Sequence, residues 1–307
     1  MSREKVEKYL DKNDFEYKNI IELSGDISTR KYFEVEINKE VRIACLNDKE
    51  NKKHNELYLY WYEQYLKHQI KVPKIIHFED GFNVQEKIDQ TIFDKLKHQT
   101  DKTSDIYNEC LKILLKIHNI EIDQNQKYEK LNLERFRNEF SLSYTAFDFQ
   151  EYEEVIDELV LKSLSFKNEV ICHRDFHSRN ILIQKDVIYI IDFQDSMLGN
   201  GIYDVVSIVN DCYIQLPSEV IENFKKNYFL EKKPYSSEEE FLRQCDLYTI
   251  QRVFKAFGNF KTFFKKHNDP YYLKFIKPNA LKILDIIERN KELNDLKPIF
   301  KRLRDEY

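Results

Sequence analysis

Residues 171–195 read ICHRDFHSRNILIQKDVIYIIDFQD, and they restrict the possible folds more than any other part of the chain. Two short β-branched segments, Val170-Ile171-Cys172 and Val187 to Ile191, each run straight into polar residues. Asp175 is followed by four residues and then Asn180, and Asp192 comes twelve residues after Asn180. A short loop leaving one strand can present Asp175 and Asn180 to the same cleft, and a neighbouring strand can deliver Asp192.

That spacing suits phosphoryl transfer. His-Arg-Asp-x-x-x-x-Asn followed by Asp-Phe is the catalytic-loop and metal-loop pair of kinases. The reaction needs little covalent help and much positioning of charge. A hard Mg²⁺ takes oxygen ligands, one or two of them from protein. Asn180 offers an amide oxygen and Asp192 a carboxylate, while Asp175 is left to orient the attacking hydroxyl and accept its proton. An HRD triplet alone is common by chance, whereas the triplet, the Asn at this offset and the later IDF together are not. His177 and Arg179 flank Ser178, and either cation suits the charge that develops on a transferring phosphoryl group. The competing reading has His177 packing the loop and Arg179 pointing outward.

Around this segment the chain reads as α+β. A charged helix over residues 3–13 precedes three strands: Asn19 to Ser24, Tyr32 to Ile37, and Val41 to Leu46. In the second, Phe33, Val35 and Ile37 alternate with polar residues, the period of a half-buried strand. Asn38-Lys39 reads as a turn. A helix from Lys52 to His68 and strands at Val72 to Phe78 and Phe82 to Gln85, joined through Asp80-Gly81, complete a small antiparallel unit. From about Asp89 the pattern is helical. Ile106, Cys110, Ile113, Leu114 and Ile117 mark one face of a helix from Ser104 to Ile120. Leu133 to Tyr144, Tyr152 to Ser165, and everything after Asp204 to about Leu303 also read as helix. The expected domains are 1–87 and 88–307, with a ligand cleft between them.

Composition narrows the partners. With 49 Lys and Arg against 54 Asp and Glu, the formal net charge is -5, which gives no global field for nucleic acid. The basic runs Lys49 to Lys53 and Lys261 to Lys266 read as solvated faces. MSREKVEKYL lacks the apolar run of a signal peptide, and no stretch is long and apolar enough for a membrane helix. Five scattered cysteines without a CxxC pair argue for buried reduced thiols, not a disulfide framework or a zinc site. A cytoplasmic protein without nucleic-acid or membrane partners is expected, and a monomer.

HRDFHSRN and IDFQD resemble the motifs of the aminoglycoside phosphotransferase and choline kinase superfamily. Within it, the resemblance is closest to the anomeric N-acetylmuramate/N-acetylglucosamine kinases of bacterial cell-wall recycling. GDISTRKYFEV, YDVVSIVNDCYIQLP and QRVFKAFGNF resemble further segments of that branch, so the likeness extends from residue 25 to residue 260. It implies a bilobal protein-kinase-like fold, a small antiparallel-sheet N-lobe and a larger, mainly helical C-lobe, with ATP between them. It implies an ATP- and Mg²⁺-dependent kinase of a sugar anomeric hydroxyl.

Carried onto this chain, the resemblance makes Asp175 the base and Asn180 and Asp192 the metal ligands. It makes Gln85, Glu86 and Lys87 the hinge that meets adenine. Gly25 to Arg30 become the loop over the phosphates, with Ser28, Thr29 and Arg30 as donors. Asp204 would brace the catalytic loop, although a helix N-cap before Val205 fits it equally. Asp211, Gln251, Arg252 and Lys255 become sugar-pocket candidates, or simply a polar helix face. The aromatic run from Phe254 to Phe264 reads as core. Two departures stand out. GDISTR is not glycine-rich, and VRIACLND has no lysine where many kinases carry one, leaving Arg42 and Arg30 as the nearest cations and Glu56 as a conceivable partner. A kinase of another hydroxyl compound (an aminoglycoside, choline or a different sugar) remains open, as does a non-catalytic nucleotide-binding module. A protein kinase is unsupported, because no Ala-Pro-Glu follows IDFQD.

Overall fold

The computed structural model describes residues 2–23, 30–46, 52–123 and 128–307. Ser28, Thr29 and the rest of the expected phosphate loop before Arg30 lie outside the described residues.

The chain opens with helix α1 (Ser2–Lys12), then β1 (Tyr17–Glu22), β2 (Lys31–Ile37) and β3 (Glu40–Leu46). Helix α2 (Lys52–Lys67) leads to β4 (Ile75–Glu79), β5 (Phe82–Glu86) and the two-residue β6 (Gln90–Thr91). Helices α3 (Ile92–Leu96), α4 (Thr103–Ile117), α5 (Leu133–Phe147) and α6 (Glu153–Leu159) follow. Four strands come next: β7 (Glu169–Cys172), β8 (Ile181–Gln184), β9 (Val187–Ile190) and β10 (Met197–Asn200). The chain ends with α7 (Ile202–Val209), α8 (Ser218–Lys232), α9 (Glu238–His267), α10 (Ile276–Arg289) and α11 (Lys297–Glu306).

Two compact units result: Met1–Thr91 with Asn180–Asp195, and Ile92–Arg179 with Ser196–Tyr307. The first holds a five-stranded antiparallel sheet in the order β1-β2-β3-β5-β4 and a three-stranded sheet, β6-β8-β9. The alternation in β2 sorts as its period requires. Phe33, Val35 and Ile37 are buried and pack with Ala44 and Val84, and Val6 and Leu10 of α1 close the same core. Asn38 and Lys39 both take positive φ, 51° and 68°, the turn geometry that matches strand twist.

The second unit is mainly helical and includes the β7-β10 pair. Its spine is α9, capped at Ser237 and closed by Asn268 in the left-handed region. Helix α7 is buried on every side. Phe254, Phe257 and Phe260 are core, as their spacing predicts. All five cysteines are buried and unpaired. Among the described residues no helix is long and apolar enough to cross a membrane.

Several expectations need correction. The strand read as Val72 to Phe78 begins only at Ile75, because Pro73 has no N–H to give a ladder. The region from Asp89 does not start as helix, since β6 first pairs with β8. Residues 152–165 break into the short α6 flanked by single 3₁₀ turns.

Gly258 marks a close approach between helices. A Cβ there would lie 2.2 Å from Ser143 Oγ and 2.8 Å from Ser143 Cα of α5, where Ser143 Oγ donates to Phe254 O at 2.9 Å. Alanine would improve helix propensity by about 1 kcal/mol, yet overpacking at such a contact costs about 1–3 kcal/mol or more. Gly258→Val removes any balance between the two. We expect it to lower the denaturant midpoint clearly, read by urea unfolding.

Candidate active site

The loop after β7 is built on backbone strain that one carboxylate holds in place. Arg174 has φ 78°, a left-handed conformation that is costly for a residue with a side chain. Asp204, fully buried on α7, accepts hydrogen bonds from the N–H groups on both sides of that turn, His173 N at 2.7 Å and Arg174 N at 2.8 Å. Its Oδ2 also lies 3.2 Å from His118 Nε2, whose other ring nitrogen meets Tyr228 OH at 3.0 Å. Asp204 lies inside the first turn of α7, after its N-cap Gly201, so the capping alternative does not apply. Burial pushes the His118 imidazole below its usual value, and Asp204 opposes that without winning.

Further along the loop, Asp211 does similar work. Its two oxygens accept Ser178 N and Tyr213 N, each at 2.8 Å, so both face backbone amides. His177 Nδ1 lies 3.4 Å from Arg179 N, and its ring packs 5.5 Å from that of Tyr213. Arg179 is not simply outward. Its guanidinium sits over Tyr213 at 4.9 Å, Tyr272 at 5.5 Å and Phe93 at 5.6 Å, and donates to Tyr272 OH at 3.3 Å. A guanidinium over aromatic faces is held by its quadrupole partners.

Asp175 leads this loop with a carboxylate about one-third exposed, 3.2 Å from Arg252 of α9. Burial pushes its carboxyl up, but Lys255, Arg252, Arg174 and His177 outweigh burial and hold it well below the usual carboxylate range. Arg252 also donates to Ser207 Oγ at 3.2 Å. Lys255, one turn on, lies 3.3 Å from Tyr203 OH and 3.5 Å from Glu139 Oε1.

Glu139 was not anticipated. It accepts from Arg174 at 2.6 Å and from Gln251 Nε2 at 3.4 Å, and pairs with Arg135 at 3.5 Å. Burial raises its carboxyl, yet Lys255, Arg174 and Arg135 carry it below the usual range. It ties the HRD arginine to the α9 residues Gln251 and Lys255. The available signal was an acid three residues after Phe136 on the buried stripe of α5, which continues through Phe140, Ser143 and Phe147.

In the first unit, Asn180 and Asp192 are brought close by the β-structure: Ile191 N donates to Asn180 O at 3.1 Å. Asp192 has φ 64°, again strained. Phe193 behind it is buried and stacks on Tyr58 of α2 at 5.2 Å, with Tyr65 at the same separation. Asp192 Oδ1 accepts from Arg30 at 3.0 Å and from Gln194 Nε2 at 2.8 Å, while Gln194 Oε1 is buried without a hydrogen-bond partner. The half-exposed Asp192 carboxylate and the orphaned amide oxygen of Gln194, bonded to it through Nε2, give an oxygen-only donor pair. Such a set fits a hard divalent cation.

The two candidate cations of this unit have different partners. Arg42 pairs with Glu40 on its own strand, whereas Arg30 reaches Asp192. Arg30, Tyr32, Cys45, Tyr58, Gln85 and Asp192 line one cavity. Burial pushes the Cys45 thiol up to about 11, so it stays a neutral packing group there. Gln85 Oε1 accepts from Tyr58 OH at 3.3 Å, Glu86 N donates to Lys74 O at 2.8 Å, and Lys87 pairs with Glu34 at 2.6 Å. Glu56 is exposed on α2.

Comparison with known proteins points one way. The profile of the phosphotransferase enzyme family matches residues 19–242. A protein of Pseudomonas putida named N-acetylmuramate/N-acetylglucosamine kinase is 27% identical over 154 residues, 48% of this chain and 45% of that one. The chain thus spans about half the length of that relative. A Neisseria meningitidis protein of the same name is 24% identical over 299 residues, 90% of this chain and 87% of its own. Among solved structures, aminoglycoside phosphotransferase APH(2'')-Ib, ADP-bound, covers 92% of this chain and 97% of its own at 17% identity with a TM-score of 0.59. LicA in complex with AMP covers 92% and 98% at 13% identity with a TM-score of 0.67. These likenesses establish the protein-kinase-like α+β fold.

Proposed function

Since this chain belongs to the phosphotransferase enzyme family, we propose that it transfers the γ-phosphoryl group of ATP to the anomeric hydroxyl of N-acetylmuramate or N-acetylglucosamine. The products are the sugar 1-phosphate and ADP. The observation that carries this reading is Asp175, an ionised carboxylate on a strained, braced loop, beside Arg252 and Lys255 of the segment that resembles the sugar-kinase branch.

In this reading Asp175 orients the hydroxyl, and the proton passes to it as the sugar oxygen bonds to phosphorus and the bond to ADP breaks. A carboxylate held so far below its usual range is a weak base. It therefore serves best when proton transfer is late, as in a loose phosphoryl transition state, and when the hydroxyl is already acidic, as an anomeric one is. Asn180 and Asp192 would hold Mg²⁺, which when bound neutralises charge on the phosphates. Arg30 and Gln194 keep the Asp192 carboxylate oriented. Ser28 and Thr29 are proposed phosphate donors, and the backbone of Gln85, Glu86 and Lys87 is proposed to meet adenine. The relatives' names support the sugar, and we propose with it a cytoplasmic, monomeric enzyme of cell-wall recycling.

Arg30 takes the role that the third-strand lysine plays elsewhere. A charge-assisted hydrogen bond of this kind contributes about 1.5–3 kcal/mol. Arg30→Met should therefore raise the KM for ATP roughly tenfold or more and weaken ADP binding alike, while adenosine binding stays unchanged. Arg42→Met should leave all three as they are. Calorimetric titration with ADP and adenosine reads the difference.

The function itself is tested by incubating the protein with Mg·ATP and a panel of both sugars, choline and an aminoglycoside. Mass and phosphorus NMR then show which acceptor gains phosphate and on which carbon. Phosphate on C1 of either amino sugar is expected. Turnover of choline or the aminoglycoside with neither sugar consumed would reject the substrate while keeping the reaction class.

A further inference from the structure

A second polar cavity, of about 590 Å³, lies among α8, α9 and α10. Lys225 of α8 lines it and is 9% exposed. Lys282 of α10 lines it too. Among the described residues neither lysine side chain has a hydrogen bond or an ion pair. For Lys225 that is an unusual state, because a buried ammonium is normally paired; Lys282 is half-buried.

The acids at this cavity do not answer the two cations. Asp246 is engaged by Arg289, at 2.6 and 3.1 Å, and by Asn290 at 2.9 Å. Glu222, Glu238 and Asp285 also line the cavity but are exposed, and none comes within ion-pair distance of Lys225 or Lys282. Cys212 and Asp211 counter burial at Lys282, but both Asp211 oxygens already accept backbone N–H groups. Burial is the main influence lowering the Lys282 ammonium below its usual range, and Lys225 adds to it. Two like charges are thus held at one cavity with no counter-charge in contact.

We propose that this cavity binds a doubly charged oxyanion, inorganic phosphate or a phosphate monoester, bridged by Lys225 and Lys282. The proposal is independent of the catalytic reading, because Lys225 and Lys282, the two residues proposed to bind the anion, take no part in the site described above. An anion there would relieve the repulsion between the lysines and supply the hydrogen bonds that both lack.

The melting temperature of the full chain, read against added inorganic phosphate and against glucose 1-phosphate at fixed ionic strength, tests this. Phosphate stabilises many proteins by exclusion from their surface, so the difference between variants carries the result. Wild type should gain about 2 °C or more beyond that background at saturation. Lys225→Met should start higher than wild type, because an unpaired buried charge has gone, and should lose the specific gain. Lys282→Met should lose it as well, and Lys225→Arg should keep it. A larger gain with glucose 1-phosphate supports a monoester as the ligand, and equal gains support free phosphate. A wild type that gains no more than Lys225→Met and Lys282→Met would overturn the proposal.

Discussion

Asp175→Asn should lower kcat by about 10²–10⁴-fold, the range for losing a positioned general base. The change is isosteric, so it removes proton acceptance and charge while leaving the loop's shape. The Asp204 and Asp211 bonds to the loop backbone are untouched by it. Nucleotide affinity should therefore hold within about twofold, and the loss should fall on kcat, the signature of an interaction made in the transition state. The pH profile gives an independent check. In wild type, Asp175 is depressed by Lys255, Arg252, Arg174 and His177 against the push of burial. It stays ionised down to well below the ordinary Asp value of about 3.9, and activity should show no acid limb from it in the neutral range. Replacing Lys255 by Met removes the leading cation, so the limb should move up, with activity lost as pH falls through the raised value. Activity of Asp175→Asn within tenfold of wild type, or a limb that does not move in Lys255→Met, would contradict the assignment.

How much of this was legible beforehand depended on whether a feature is local. Strand β2 was readable because its period of two is set by three residues, Phe33, Val35 and Ile37, that all go inside. The segment that carries Asp175, Asn180 and Asp192 stood out because their spacing is fixed along the chain. Strand β8 was not read. It has four residues, and the turn into β9 uses Lys185 and Asp186 at positive φ, with no glycine to announce it. Strand β10, MLGN, is buried throughout, so it shows no alternation. Glu139 was hidden for a different reason. Apart from Arg135, its partners come from residues 35 and more positions away, and only packing reveals that an acid on the α5 stripe meets Arg174, Gln251 and Lys255. The choice of Arg30 over Arg42 was equally non-local. Both were visible as cations, but only the fold places one of them on Asp192.

The largest loss of stability should come from Asp204→Ala. Two backbone N–H groups and the His118 ring depend on this one fully buried carboxylate. Each buried donor left without a partner costs about 1–3 kcal/mol, so a total of about 3–5 kcal/mol is expected, a large share of the ~5–15 kcal/mol that holds a folded protein together. Asp204→Asn should be little better, because its amide would turn N–H groups toward donors. A mere helix cap would be worth about 1 kcal/mol, so the size of the loss separates the two roles. Location separates them further. Asp204 accepts both amides at the positive-φ turn of Arg174, so without it amide exchange at 173–176 should speed up roughly tenfold or more, and kcat should fall with it. The pH dependence carries its own sign. Burial holds His118 neutral by lowering its folded pKa, so the stability linked to it is present above the unfolded value of about 6.5 and is lost as pH falls through the lower folded one. His118→Gln should flatten that acid-side decline while leaving the loop amides bound to Asp204. If Asp204→Ala loses only what a cap would lose, with exchange at 173–176 unchanged, the loop is held by something else.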